Sequence, residues 1–136
     1  MAEAEVVVVG SIHADLVVKL NRLPRRGETV IGGFFQIFAG GKGANQAVAA
    51  SRLGVNTSMV GRVGDDVFGS MLIKRLEKER VSTTHVVKDS EAHTGVALIM
   101  VDRQGTNLIA VASGADERLS QADVENAKHE ITSAKI

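Results

Sequence analysis

Residues 38 to 54, FAGGKGANQAVAASRLG, place a glycine pair, a lysine, a third glycine and an asparagine directly before an alanine-rich stretch. Consecutive glycines let backbone N–H groups come close to a ligand. At the start of a helix, the free donors and the helix dipole favour oxygen-rich groups. Lys42 and Asn45 add side-chain donors, and Asn45 adds an acceptor. A Walker A phosphate loop would need glycine at 36 and Ser or Thr at 43, where Gln36 and Gly43 stand. The dinucleotide fingerprint fails as well, because Gln46 occupies its third glycine position. The stretch is therefore either a cradle for a hydroxyl-rich ligand or a tight turn into a helix with a solvated lysine. Asp15 favours the cradle. It lies just past the first predicted strand, where open α/β sheets bind ligands, and its carboxylate could accept from two hydroxyls. His13 beside it is open to the same reading. The histidines at 13, 85, 93 and 129 show no short metal spacing, and no Gly-x-Ser-x-Gly nucleophile elbow occurs.

The elements that must carry these residues follow from periodicity and punctuation. Val6 to Val9 is a β-branched run ending at Gly10, the pattern of a strand buried on both faces of a parallel sheet. Residues 15 to 20 and 29 to 38 are β-prone around a turn containing Pro24 and Gly27. Ala44 to Leu53 reads as a helix closed by Gly54, and Thr57 to Val63 as a second core strand. Gly64, Asp65 and Asp66 supply a turn and an N-cap for a helix over Val67 to Arg80, and a third strand falls near His85 to Val87. TGVALIMV and TNLIAVAS read as a hairpin whose turn, DRQG, places Gly105 in the left-handed region. Ser120 with Asp123 forms a capping box for one last amphipathic helix. Core strands alternating with helices imply a doubly wound α/β sheet, and the two β excursions, with no helix between them, imply a second small sheet. The last helix has no strand after it, so the sequence is expected to be the front part of a longer protein.

Composition sets the bounds. Sixteen basic and sixteen acidic residues among 136 give no net charge to attract nucleic acid or an anionic membrane. The run at 6 to 9 is too short to span a bilayer, and the acidic start does not resemble a signal peptide. With no cysteine, an intracellular protein is expected.

VVVVGSIHADLV, GGKGANQAVAASRLG, MVGRVGDDVFG and TGVALIMVDRQGTNLIAVASGAD together resemble the ribokinase (PfkB-type) family of carbohydrate kinases, in order and over nearly the whole chain. The resemblance implies a three-layer α/β/α sandwich with a small β-sheet lid, truncated at its C-terminal side. Residues 1–136 would be a partial carbohydrate kinase domain, with lid segments at approximately 14–39 and 94–113. It implies ATP-dependent phosphorylation of the 5-hydroxyl of ribose by the full-length protein, with Mg2+ and a monovalent cation such as K+. A cytoplasmic location is expected, and apolar strands such as TGVALIMV make a ready edge for a homodimer joined through the lid strands. Carried over by position, Asp15 and His13 would meet the sugar hydroxyls. Gly41, Lys42, Gly43 and Asn45 would hold the sugar's other edge, and Ala97 and Ile99 would line the lid side with apolar surface. His13 stands where the family usually has asparagine, and so does Asp116. The family's Gly-Ala-Gly-Asp segment, which carries the catalytic base, has no match here. Gly114, Ala115 and Asp116 are a superficial echo, expected at the end of a lid strand rather than at a helix start. The chain alone should therefore be inactive, and the alternative is a naturally short protein that binds a sugar or a partner without catalysis.

Overall fold

A computed structural model describes residues 3–136. Its central strand is β4 (Thr57–Gly64), flanked in parallel by β1 (Val6–Val9) and β5 (Val81–Asp89). Parallel neighbours cannot be joined by a hairpin, so crossovers are required. Helices α1 (Lys42–Arg52) and α2 (Val67–Lys78) supply them. Strand alternation then sorts β4 into two faces. Met59 and Val63 point to one side and pack with Ala44 and Ala47 of α1 and Leu72 and Leu76 of α2 in the main core. Arg62 points to the other side, where its guanidinium grips Asp123 at the start of α3 (Gln121–Asn126). Helices therefore cover both faces, which makes the α/β/α layering. The small side chains of Ala44 and Ala47 allow α1 to lie close to the sheet, and each fully buried aliphatic side chain such as Leu72 stabilises by roughly 1.5 to 3 kcal/mol.

A second sheet, ordered β3-β2-β6-β7, is formed by β2 (His13–Lys19), β3 (Phe34–Gly40), β6 (Gly95–Val101) and β7 (Asn107–Ala112). β2 and β6 run parallel, and the two outer pairs are antiparallel. Gly105 closes the β6–β7 hairpin at φ +84° while the Asp102 carboxylate accepts from Gln104 and Thr106.

Several expectations are corrected. β1 is a strand, but it is only partly buried and Val9 is exposed. Among the described residues its second edge meets the segment at 135–136, where Val7 N–H donates to the Ile136 carbonyl. β3 begins at Phe34 rather than 29, because Gly32 sits at φ +93° and breaks the extended backbone before it. The last helix is two helices, α3 and α4 (Lys128–Ser133), separated at Ala127. Asp123 ties the first to Arg62 on β4, and Glu130 ties the second to His85 on β5, so the two halves answer to different anchors. Gly114–Arg118 is a short 3₁₀ helix, so Gly114, Ala115 and Asp116 open a helical turn after all.

Candidate functional site

The chain passes between the two sheets at four places, all near the C-terminal end of β1: residues 10–12, Gly41, 92–94 and 113–114. Backbone approaches backbone there, and the glycines make that possible. A Cβ on Gly43 would lie 2.9 Å from Gly10 C, Ser11 N and Met59 Cε. Gly41 adopts φ +98°, and a Cβ on it would lie 2.5 Å from the Ser11 carbonyl oxygen. Packing of the helix start against residues 10–12 thus accounts for these two glycines before any ligand is considered. Ser11 completes the join. Its Oγ accepts the Lys42 N–H at 3.1 Å and its carbonyl accepts the Ala44 N–H at 3.1 Å. Two donors at the start of α1 are therefore already engaged, and Lys42 offers a ligand its exposed side chain rather than its amide.

Gly40 is different, because what fills its missing side chain is functional chemistry. A Cβ there would fall 2.5 Å from both oxygens of Asp15. The Asp15 carboxylate lies over Gly40, one residue from the turn into α1. The acid and the glycine stretch, 25 positions apart in sequence, thus converge on one spot. Asp15 and His13 share one face of β2, two residues apart. Asp15 pairs in register with Ala97 and Val17 with Ile99, which puts both β6 side chains on that same face. Ile99 is partly buried, whereas Ala97 is 3% exposed and forms floor rather than open lining. Lys42 and Asn45, three apart on the first turn of α1, are both exposed on one side of it.

His13 is held between two acids. Its Nε2 is 3.5 Å from Asp15 Oδ1 and its Nδ1 is 3.3 Å from Asp116 Oδ2. The other Asp116 oxygen accepts the Ile12 N–H at 2.8 Å. Burial pushes the Asp116 carboxyl above the usual aspartate range, against the opposing pull of the Ile12 N–H and the imidazole. The two positions that depart from the resembled family therefore touch each other. Sequence reasoning noticed Asp116 only as an anomaly, and nothing local marks it as a partner of a residue 103 positions away.

Two further sets of contacts were missed, those of Thr94 with the expected cap residue Asp66 and those that seat the 3₁₀ helix. Asp66 caps α2 through Gly69 N–H, and the same carboxylate accepts the Thr94 N–H at 2.8 Å and the Thr94 hydroxyl at 2.6 Å. Thr94 in turn accepts the Gly64 N–H, which fixes the entry to β6 against the end of β4. The 3₁₀ helix carrying Asp116 is set by the Ala115 N–H to His93 carbonyl bond and by Arg118, whose guanidinium reaches Asp89 and Glu91. Asp89 also accepts from Arg62, so one ion network seats both the 3₁₀ helix and α3 on β4 and β5. A cavity of about 690 Å³ lies elsewhere, near Thr57, Val81, His85 and Glu130 at the N-terminal ends of β4 and β5. Parallel sheets bind ligands at the opposite end, where Asp15 stands, so the cavity is not taken as the site.

The profile of the pfkB family carbohydrate kinases matches residues 3–136. The ribokinase of Mus musculus is 44% identical over 133 residues, covering 98% of this chain and 41% of that protein. A deoxyribokinase of Salmonella typhi is 38% identical over 132 residues, covering 97% of this chain and 43% of that protein. Among solved structures, Arabidopsis thaliana ribokinase complexed with ribose and ATP superposes with a TM-score of 0.77 at 36% identity, over 91% of this chain and 42% of that one. The chain thus spans about two fifths of the length of the curated relatives it matches. With the family profile running from residue 3 to residue 136 over a fold of the same layers, the chain belongs to the pfkB family of carbohydrate kinases.

Proposed function

We propose that this chain holds the sugar-binding half of a ribokinase-type kinase, whose full-length protein phosphorylates the 5-hydroxyl of ribose with ATP. The observation that carries the reading is the position of the Asp15 carboxylate over Gly40, beside the exposed Lys42 and Asn45. Carboxylate acceptors facing ammonium and amide donors suit a polyhydroxylated guest, because each hydroxyl both gives and takes a hydrogen bond. His13 and Asp15 would take one edge of the sugar, and Gly41, Lys42, Gly43 and Asn45 the other. The four-stranded sheet, segments 14–39 and 94–113, would act as the lid, with Ala97 and Ile99 on its inner face. A dry lid matters because water competes with the acceptor hydroxyl for the phosphoryl group.

ATP is the proposed donor, in keeping with the nucleotide in the Arabidopsis ribokinase complex. Mg2+ and K+ are proposed on family grounds only. Among the described residues no group of three His, Cys, Asp or Glu side chains is placed to hold a metal ion, so no step is assigned to one here. Among those residues no helix is long and apolar enough to cross a membrane, and a cytoplasmic location is part of the proposal.

The test is to incubate the full-length protein with ribose, ATP and Mg2+ and identify the product. Ribose 5-phosphate is expected, formed in Asp15→Asn only at much higher ribose concentrations. A protein that binds ribose but forms no phosphate ester would favour the non-catalytic alternative. The exposed Phe34, Phe35, Leu98, Leu108, Ile109 and Val111 support a homodimer through the lid strands, which sedimentation of the full-length protein at several concentrations would reveal.

A further inference from the structure

We propose that Asp116 is a positioning residue for the sugar site, which sets His13 as a hydrogen-bond acceptor so that His13 and Asp15 together select a vicinal diol. The inference rests on the sugar-kinase reading and deepens it.

The geometry begins at Gly95, which pairs in register with His13. A Cβ on Gly95 would lie 2.6 Å from Asp116 Oδ2 and 2.9 Å from the His13 Cβ. Only the bare backbone at this point admits the Asp116 carboxylate to the imidazole. That carboxylate is pinned by the Ile12 N–H on one oxygen, which aims the other at His13 Nδ1. Its side chain is 11% exposed, so water offers Nδ1 little alternative.

An ionised carboxylate can only accept, so the proton of the imidazole resides on Nδ1. Nε2 is then left with its lone pair turned toward Asp15. At 3.5 Å the Nε2 to Oδ1 separation is too long for a good direct bond. Two acceptors side by side, with no proton between them, require two O–H donors from the guest. Adjacent hydroxyls on a furanose meet that demand. A 2-deoxy sugar brings one, and leaves a desolvated acceptor without a partner. Around His13, β2 contributes Asp15 and the 3₁₀ helix contributes Asp116. β3 and β6 place Gly40 and Gly95 opposite it in register, so no other charge is supplied by those positions.

Asp116→Asn keeps an oxygen for the Ile12 N–H but turns an NH2 donor toward Nδ1, which drives the imidazole proton to Nε2. Nε2 then presents a proton rather than a lone pair on the side facing Asp15, and the demand for two hydroxyl donors falls. The experiment uses the full-length protein with 15N-labelled histidine. Nuclear magnetic resonance should find the His13 proton on Nδ1 in the parent and on Nε2 in Asp116→Asn. Calorimetry with ribose and 2-deoxyribose should show the parent's preference for ribose reduced about tenfold by Asp116→Asn. In a His13→Ala background the same change should have no effect on that ratio, as a residue acting through His13 requires.

A parent imidazole carrying protons on both nitrogens, or an unchanged ratio in Asp116→Asn, overturns the proposal. If Asp116→Asn does not fold, His13→Ala alone must lower the ribose preference, and an unchanged ratio there refutes it equally. If neither sugar binds the parent, the sugar-kinase reading itself fails, while the ring-proton assignment still decides what Asp116 does to His13.

Discussion

Met59 and Val63 in the parallel sheet are completely enclosed, while Leu98 and Ile109 in the four-stranded sheet expose 56% and 55% of their surface. The strands of the four-stranded sheet are the more apolar in sequence, so what separates the two sheets is cover rather than composition. α1, α2 and α3 close both faces of β4, whereas among the described residues no helix packs on β7 of the second sheet. Contiguous apolar surface left open in this way marks a place where something docks. On the sugar-binding reading, the parallel sheet would account for stability and the four-stranded sheet for recognition.

That division is open to direct attack, and the heaviest blow should fall on the core. Leu72→Ala removes a side chain enclosed between α2 and β4 and should cost about 3 to 4 kcal/mol, read from denaturant unfolding. Arg62→Ala strands Asp123 and Asp89 on the other face of β4 and should cost about 3 kcal/mol in the same assay. The network also has a pH signature. Arg62 and the Ser120 N–H hold the Asp123 carboxyl at about 2, below its ordinary 3.8. A lowered folded-state value means the contribution is complete above about 4 and is lost as the pH falls from there through about 2. Acid unfolding of the parent should therefore be steeper in that window than that of Asp123→Asn. Asp15→Asn should weaken ribose binding by roughly 1 to 3 kcal/mol in calorimetry while leaving the unfolding midpoint in place. Leu108→Ser, on the exposed β7, should alter stability by less than about 0.5 kcal/mol. A large loss there would mean that the second sheet supports the fold, and would dissolve the contrast.

Much of this was legible from residue order because the signals were local. Gly105 in its hairpin, Asp66 at the start of α2, and Ser120 with Asp123 as a capping box each act within four residues. The alternation of strand and helix was read for the same reason. The placement of Asp15 beside the glycine stretch was also expected, because the end of the first parallel strand is a known meeting place in such sheets. What escaped were long-range meetings: two where the sheets cross, Asp66 with Thr94 and His13 with Asp116, and one on the far face of β4, Arg62 with Asp123. The break at Ala127 escaped too, since both halves are helix-prone and only their separate anchors force a change of axis. Gly43 shows the converse. Its spacing suggested a ligand, and its position against Gly10 and Met59 already requires that it have no side chain.

The four crossings between the sheets bear on how tightly speed and selectivity can be tuned. Ile12, Gly41, Thr94 and Gly114 carry the chain across beside Asp15 and His13, so on the sugar-binding reading any swing of the four-stranded sheet would pivot on the same few atoms that meet the guest. Evolution, or an engineer, could not loosen that axle to hasten release without also blurring discrimination. Variants at these joints should trade residence time against fidelity along a single line.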